Sequence, residues 1–478
     1  MSTSIKQRPL FSGNRIPVPV GQDLIFVLTN HNIITTQVEV KFVARVHISP
    51  DQPPNMSTTD DLIGTFRTVP NNNGAGIFNF RDIIESYVSA DHTTAERALV
   101  KGEADPNKDG DKYPIHMIDK WSRNRNLARY WSVEFCTEYL DTSTGIIIET
   151  DFRNSAVHMI FNGYVTNDEY YQIGGFYGNS FGFRMDQTPN NYVVGTGVNS
   201  LFLTNMRSTQ YVNKNDYGTL ALFRGQTIKT LAVRYKKYSA GFTTLSYGTT
   251  SANGLGTQGT NIQRQFAYIG AGPGNIRQWD SGFGTALDAN DIEYYEIYTR
   301  DSSVNQSSQK MTYYVNCPDA VGAARGYEPI RLCWLNQWGA WDYYTFTMKS
   351  IRKYNTKSST YNQLGGSWGG ATYKMNSYKG GKKTFRVNTT ETITINTDFL
   401  DEKESKSFEF LINSPEVYML SGYQEETSLE FNRNANNEYV QPVRLVSKSL
   451  TRKTIANDKN IQYTFDIELS KTLKTQSI

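Results

Sequence analysis

Apolar and polar side chains alternate with a period of two along much of this chain. This alternation sends one set to a core face and the other to water, and so demands strands. The clearest run sets Val38, Val40, Phe42, Ala44, Val46 and Ile48 against Gln37, Glu39, Lys41, Arg45 and His47. Another β-rich run, 24–29, precedes it, and the turn-prone Asn30, His31 and Asn32 between the two predict a hairpin. Strand, turn and strand are also read from 131–136, 141–144 and 145–149. The pattern returns in 443–447 and 462–469, which enclose a polar connection containing Asn457, Asp458, Lys459 and Asn460.

Helical signals are few. Phe80, Ile83, Ile84, Tyr87 and Val88 recur at the spacing of one buried helix face, which predicts a short helix near 79–88, and 93–99 adds a turn. Phe408, Leu411 and Ile412 share one side of a candidate over 402–412. Such pieces are too short to build a helical domain and read as braces on sheets. From about 174 to 284 the texture shifts to Gly, Asn, Thr, Ser and Tyr, read as long loops on a framework whose strands lie at 220–223, 231–235 and 266–269. The expected fold is mostly β: two or three antiparallel β-sandwich-like domains with a few short helices and long loops. The expected regions are an N-terminal sandwich over 1–165, a loop-rich part over 166–300 and a C-terminal β domain over 301–478.

Only 38% of the 478 residues are hydrophobic, below the roughly 45–50% usual for a soluble globular chain. Tyr, at 31 copies, and Phe, at 24, must therefore supply much of the buried area. Lys and Arg number 49 against 46 Asp and Glu, a balance that excludes a chain-wide polyelectrolyte binder and weighs against nucleic acid as partner. No run approaches the ~18–20 apolar residues of a membrane helix, and the first nine residues carry no apolar signal-peptide core. Cys136, Cys317 and Cys333 form no C-x-x-C element and are odd in number, so reduced, buried thiols and synthesis in a cytoplasm are expected.

Asp105, Asn107, Asp109 and Asp111, with Gly110, reproduce the opening of a D-x-[DN]-x-[DN]-G calcium loop. Position twelve is His116, so the bidentate Glu is missing, and alternating short carboxylates around a Gly also make an ordinary solvated turn. His31, His47, His92, His116 and His158 stand singly and read as surface or half-buried residues. Two glycine-rich stretches, 270–275 and 380–384, fail the spacing of dinucleotide and P-loop motifs and read as turns. No catalytic residue and no cofactor is assigned, calcium at the candidate loop excepted. An acid pair such as Glu293 and Glu296, in a run with Tyr294, Tyr295 and Tyr298, would suit a polysaccharide hydrolase or lyase, but a strand with a solvated face has the same pattern. The basic-aromatic runs 234–238 and 349–354 suit stacking on bases, but strand faces alternate Tyr with Lys without any ligand.

The run 331–346 holds Asn336, Trp338, Gly339, Trp341 and Asp342 between two apolar strands, and these five residues read as a structural corner. The run resembles a signature of virion structural proteins of tailed bacteriophages. Segments 76–88, 410–418 and 441–443 resemble a helix and closing hairpins of the same family. The resemblance implies a non-enzymatic part of the tail, baseplate or neck, located in the virion after synthesis in the host cytoplasm. Its partners would be other virion proteins and further copies of itself in a ring. A receptor- or carbohydrate-binding role at a tail tip, with a host surface glycan as ligand, is the alternative.

Overall fold

In a computed structural model the described residues are 2–9, 17–50, 53–57, 60–93, 114–118, 121–165, 185, 191–194, 197–224, 230–248, 266–301, 303–316, 327–367, 369–420, 440–447, 449–451 and 461–471. The chain is mostly β with few, short helices, as the alternation demands. It divides into two units, one of Met1–Cys317 with Leu335–Asp342, the other of Pro318–Trp334 with Tyr343–Ile478.

Among the described residues the first unit holds two aromatic cores. A three-stranded sheet orders Ser4–Gln7, Ile25–Thr29 and Ala75–Asn79. A six-stranded sheet runs Pro17–Gly21, His158–Tyr164, Ala128–Asp141, Val38–Ser49 and Leu62–Thr68, with Ile146–Asn154 also on Ala128–Asp141. The rings of Phe26, Phe78, Phe80, Trp131 and Phe135 pack together in the first core, with Phe26 5.1 Å from Phe135 and 5.9 Å from Trp131. The second core gathers residues of a four-stranded sheet (Val193–Val194, Thr219–Arg224, Phe266–Gly270, Trp121–Arg123) and a five-stranded sheet (Thr209–Asn213, Met311–Asn316, Ile292–Arg300, Thr230–Lys237, Phe242–Gly248). Here Tyr295 stacks on Tyr313 and donates its hydroxyl to the Ala271 carbonyl, so tyrosines act as core residues with a satisfied polar tip.

The second unit carries most of a seven-stranded sheet, whose order is Trp341–Phe346, Ile330–Leu335, Val417–Leu420, Val440–Leu445, Thr464–Leu469, Gly381–Asn396 and Ile351–Gln363. Helix Glu402–Asn413 buries Phe408 among Trp334, Phe346 and Phe465. Its start is a capping box: Asp401 accepts from the Glu404 backbone while the Glu404 side chain accepts from the Asp401 backbone.

Several expectations change. The hairpin over Asn30–Asn32 does not form. Ile25–Thr29 pairs with Ser4–Gln7 and Ala75–Asn79, whereas Val38–Ser49 pairs with Leu62–Thr68 and Ala128–Asp141. The connection is helix His31–Thr36, because the Asn30 side chain accepts from Ile33 N and caps a helix instead of turning a hairpin. The helix near 79–88 contracts to Arg81–Glu85: the Ser86 hydroxyl donates to the Ile83 carbonyl, and the Tyr87 backbone N–H bonds to the Ile84 carbonyl instead. The glycines at 270–275 lead into helix Pro273–Trp279, followed by Ser281–Asp288; Pro273 at the first helical position sets the φ the turn needs. Among the described residues three strand pairs are parallel, Pro17–Gly21 with His158–Tyr164, Val193–Val194 with Thr219–Arg224, and Thr209–Asn213 with Met311–Asn316, so antiparallel pairing is not universal. The hairpin of Ala128–Asp141 with Ile146–Asn154 and the pairing of Val440–Leu445 with Thr464–Leu469 form as read.

Candidate functional site

One row of side chains crosses all five strands of the Thr230–Lys237 sheet. Register sets Phe242 opposite Lys236, Lys236 opposite Tyr294, and Tyr294 opposite Tyr314. Tyr314 in turn stands opposite Tyr211 on the parallel edge strand. Directly opposed residues share a face, so the five form a stripe perpendicular to the strands. Ring centroids are 5.2 Å apart for Tyr294 and Tyr314 and 5.6 Å for Tyr211 and Tyr314, with the Lys236 ammonium 5.7 Å from the Tyr294 ring. Tyr211 is 65% exposed and Phe242 46%, although large aromatics ordinarily bury. The spacing of tyrosines in one strand was visible in sequence; their alignment across five was not, because it is set by register.

The carboxylates beside this row are engaged by cations. Glu293 meets Lys236 at 2.6 Å and lifts its ammonium pKa. Glu296 meets Lys310 at 3.0 Å and Arg234 at 3.9 Å. They form cross-strand ion pairs, arranged as on the outer face of the six-stranded sheet, where Arg45 holds Glu134 at 3.1 Å and Glu149 at 2.6 Å.

The five corner residues come together inside the first unit. Asn336 accepts through Oδ1 from the backbone of Trp338 and Ala340 and donates through Nδ2 to the Leu203 carbonyl. Gly339 has φ +69°, and an added Cβ would lie 2.0 Å from the Asn162 carbonyl oxygen. Trp338 packs 4.5 Å from Tyr192, and Trp341 makes edge contacts with His92 and His116 while its indole donates to the Asp91 carbonyl. Asp342 accepts from the Thr204 hydroxyl and from Asn205 N. Burial pushes its carboxyl up to about 6, against the pull of those hydrogen bonds and one from Asn336.

The calcium-loop candidates Asp105, Asn107, Asp109 and Asp111 lie outside the described residues, as does Cys317. Among the described residues no group of three His, Cys, Asp or Glu side chains could hold a metal ion. Cys136 and Cys333 are buried and unbridged, and burial raises the Cys136 thiol to about 11 and that of Cys333 further. The histidines depart from their expected exposure: His47, His116 and His158 are buried. His158 sits against Trp131 and Phe26, where desolvation lowers it to about 4. Among the described residues no helix is long and apolar enough to cross a membrane. Compared with known proteins, the chain matches no family model and no curated protein.

Proposed function

We propose that the chain is a non-enzymatic structural protein of a tailed-bacteriophage virion, a component of the tail, baseplate or neck that works by subunit assembly. The observation that carries this is the aromatic stripe Phe242, Tyr294, Tyr314 and Tyr211, aligned by register across a sheet whose opposite face is core. Tyrosine and phenylalanine are enriched in interfaces because they cover large area at low rotamer cost, and a preorganised sheet loses little entropy on docking. The virion setting rests on the resemblance carried by 331–346, 76–88 and 410–418. Partners in this reading are further copies in a ring and other virion proteins.

Light scattering on the full chain tests it, together with a Tyr211→Ser, Tyr294→Ser, Tyr314→Ser variant. The expected result is a defined oligomer that the variant dissociates while circular dichroism is unchanged. A strictly monomeric chain that does not enter virions overturns the reading.

The same stripe supports a second reading, a receptor- or glycan-binding protein at a tail tip, since sugar rings stack on exposed aromatic faces. Saturable glycan-array binding by isolated, monomeric protein would favour it. A hydrolase built on Glu293 and Glu296 has less support, because each carboxylate is taken up by a neighbouring cation. Release of reducing sugars, abolished by Glu293→Gln or Glu296→Gln, would promote it.

A further inference from the structure

Strands Ile351–Gln363 and Gly381–Asn396 form a long antiparallel ribbon at the edge of the second unit's sheet. Ile351–Asn362 are exposed throughout, and most of Gly381–Val387 is too. Within 351–390 there are eight Lys and Arg and no Asp or Glu. Since the whole chain carries +3, the remainder outside this arm must be net negative, 3 − 8 = −5. The near-neutral total conceals a strongly basic element.

Register sorts these charges. Lys353, Lys357 and Tyr361 alternate along one face, opposite Thr392, Asn388 and Lys383, and Arg386 stands opposite Ser359 on that same face. A bulge at Phe385 shifts the alternation so that Lys383 returns to the side of Arg386, and it brings the Phe385 ring 6.2 Å from Tyr361. Four cations and two rings thus share a face ~26 Å long between Lys353 and Tyr361, at ~3.3 Å per residue. Their directly opposed neighbours are neutral or basic. On the first unit's sheets the comparable cations Arg45, Arg67, Lys236 and Lys310 each have a carboxylate beside them. At the base of the ribbon Arg352 is paired as well, with Glu328 and Glu391.

From this face we infer a nucleic-acid binding site that grips the phosphate backbone of a duplex. Lysine and serine are depleted in protein interfaces, whereas nucleic-acid interfaces are more polar and far more positive. A two-stranded β-ribbon is of a size the DNA major groove admits. One or two lysines would suffice to keep a free strand edge from aggregating; eight without a single acid go beyond that need. Tyr361 and Phe385 add flat apolar contact among the cations, and Asn355, Asn388 and Ser359 supply hydrogen-bonding groups.

The test is fluorescence anisotropy of a labelled 30-base-pair duplex with the full-length protein, from about 50 to 200 mM salt. A quadruple variant carries Lys353→Gln, Lys357→Gln, Lys383→Gln and Arg386→Gln. Wild type should bind with log K falling about 3–4 per decade of salt, and the quadruple variant should lose nearly all of that slope. Arg67→Gln, a paired cation elsewhere, should leave binding unchanged. Far-ultraviolet circular dichroism of the quadruple variant should match wild type, the altered side chains lying on the ribbon's solvent face. No binding at 50 mM salt, or equal binding by the quadruple variant, overturns the site. Equal affinity for polyglutamate would assign the face to an acidic protein surface and overturn it too.

Discussion

Trp341 donates its indole N–H to the carbonyl oxygen of Asp91 at 2.9 Å, joining residues 250 positions apart in the sequence. The Asp91 carboxylate accepts from the backbone of Arg125 and Asn126 and from the Tyr268 hydroxyl, so one buried aspartate ties four separate stretches of the first unit. Desolvation raises its pKa, and those hydrogen bonds oppose the rise. Trp341→Phe should therefore destabilise the first unit by about 1–3 kcal/mol through the lost hydrogen bond and unfilled volume, read from urea denaturation.

Gly339→Ala should cost more than a typical surface change, about 2 kcal/mol or above. The φ of +69° disfavours any Cβ, and the Asn162 carbonyl occupies its position. A thermal midpoint equal to that of wild type would contradict this account of the turn.

His158 makes the first unit acid-sensitive. Its folded pKa is depressed to about 4 from 6.5, so the fold favours neutral imidazole. That contribution is whole above pH 6.5 and is lost as pH falls towards 4, about 3 kcal/mol in all. His158→Phe should flatten the fall in urea midpoint between pH 6.5 and 4 while keeping the ring against Trp131.

Asp342 acts in the opposite sense. Its folded pKa is raised from 3.8 to about 6, so its contribution is whole below pH 3.8 and is lost as pH rises through 6, again by about 3 kcal/mol. Asp342→Asn should remove this loss. Its amide oxygen can accept from Asn205 N and its NH2 can donate to the Thr204 hydroxyl. Denaturant midpoints at pH 4 and pH 7 for both proteins measure the effect.

Local chemistry was legible wherever the needed signal lies within a few residues. Glu402–Asn413 announces itself by its apolar spacing, and Ile146–Asn154 by the turn before it. Asn30 misled for a related reason: an Asn side chain caps a helix as readily as it turns a hairpin, and the choice depends on the separate partners that strands 25–29 and 38–49 find. The helices at 273–288 were hidden by glycines, which weaken helix propensity; there the buried Asn275 side chain is anchored to Gly218, His116 and Ile118.

The β class, the aromatic character of the cores and the acid-free stretch 351–390 all follow from residue type and spacing along the chain. Tertiary structure alone decided that Tyr211, Tyr294 and Tyr314 align in one stripe and that Lys383 joins Lys353, Lys357 and Arg386 on one face. Cross-strand register and a single bulge set which side chains share a surface, and shifting either by one residue turns the same side chain to the other side of the sheet.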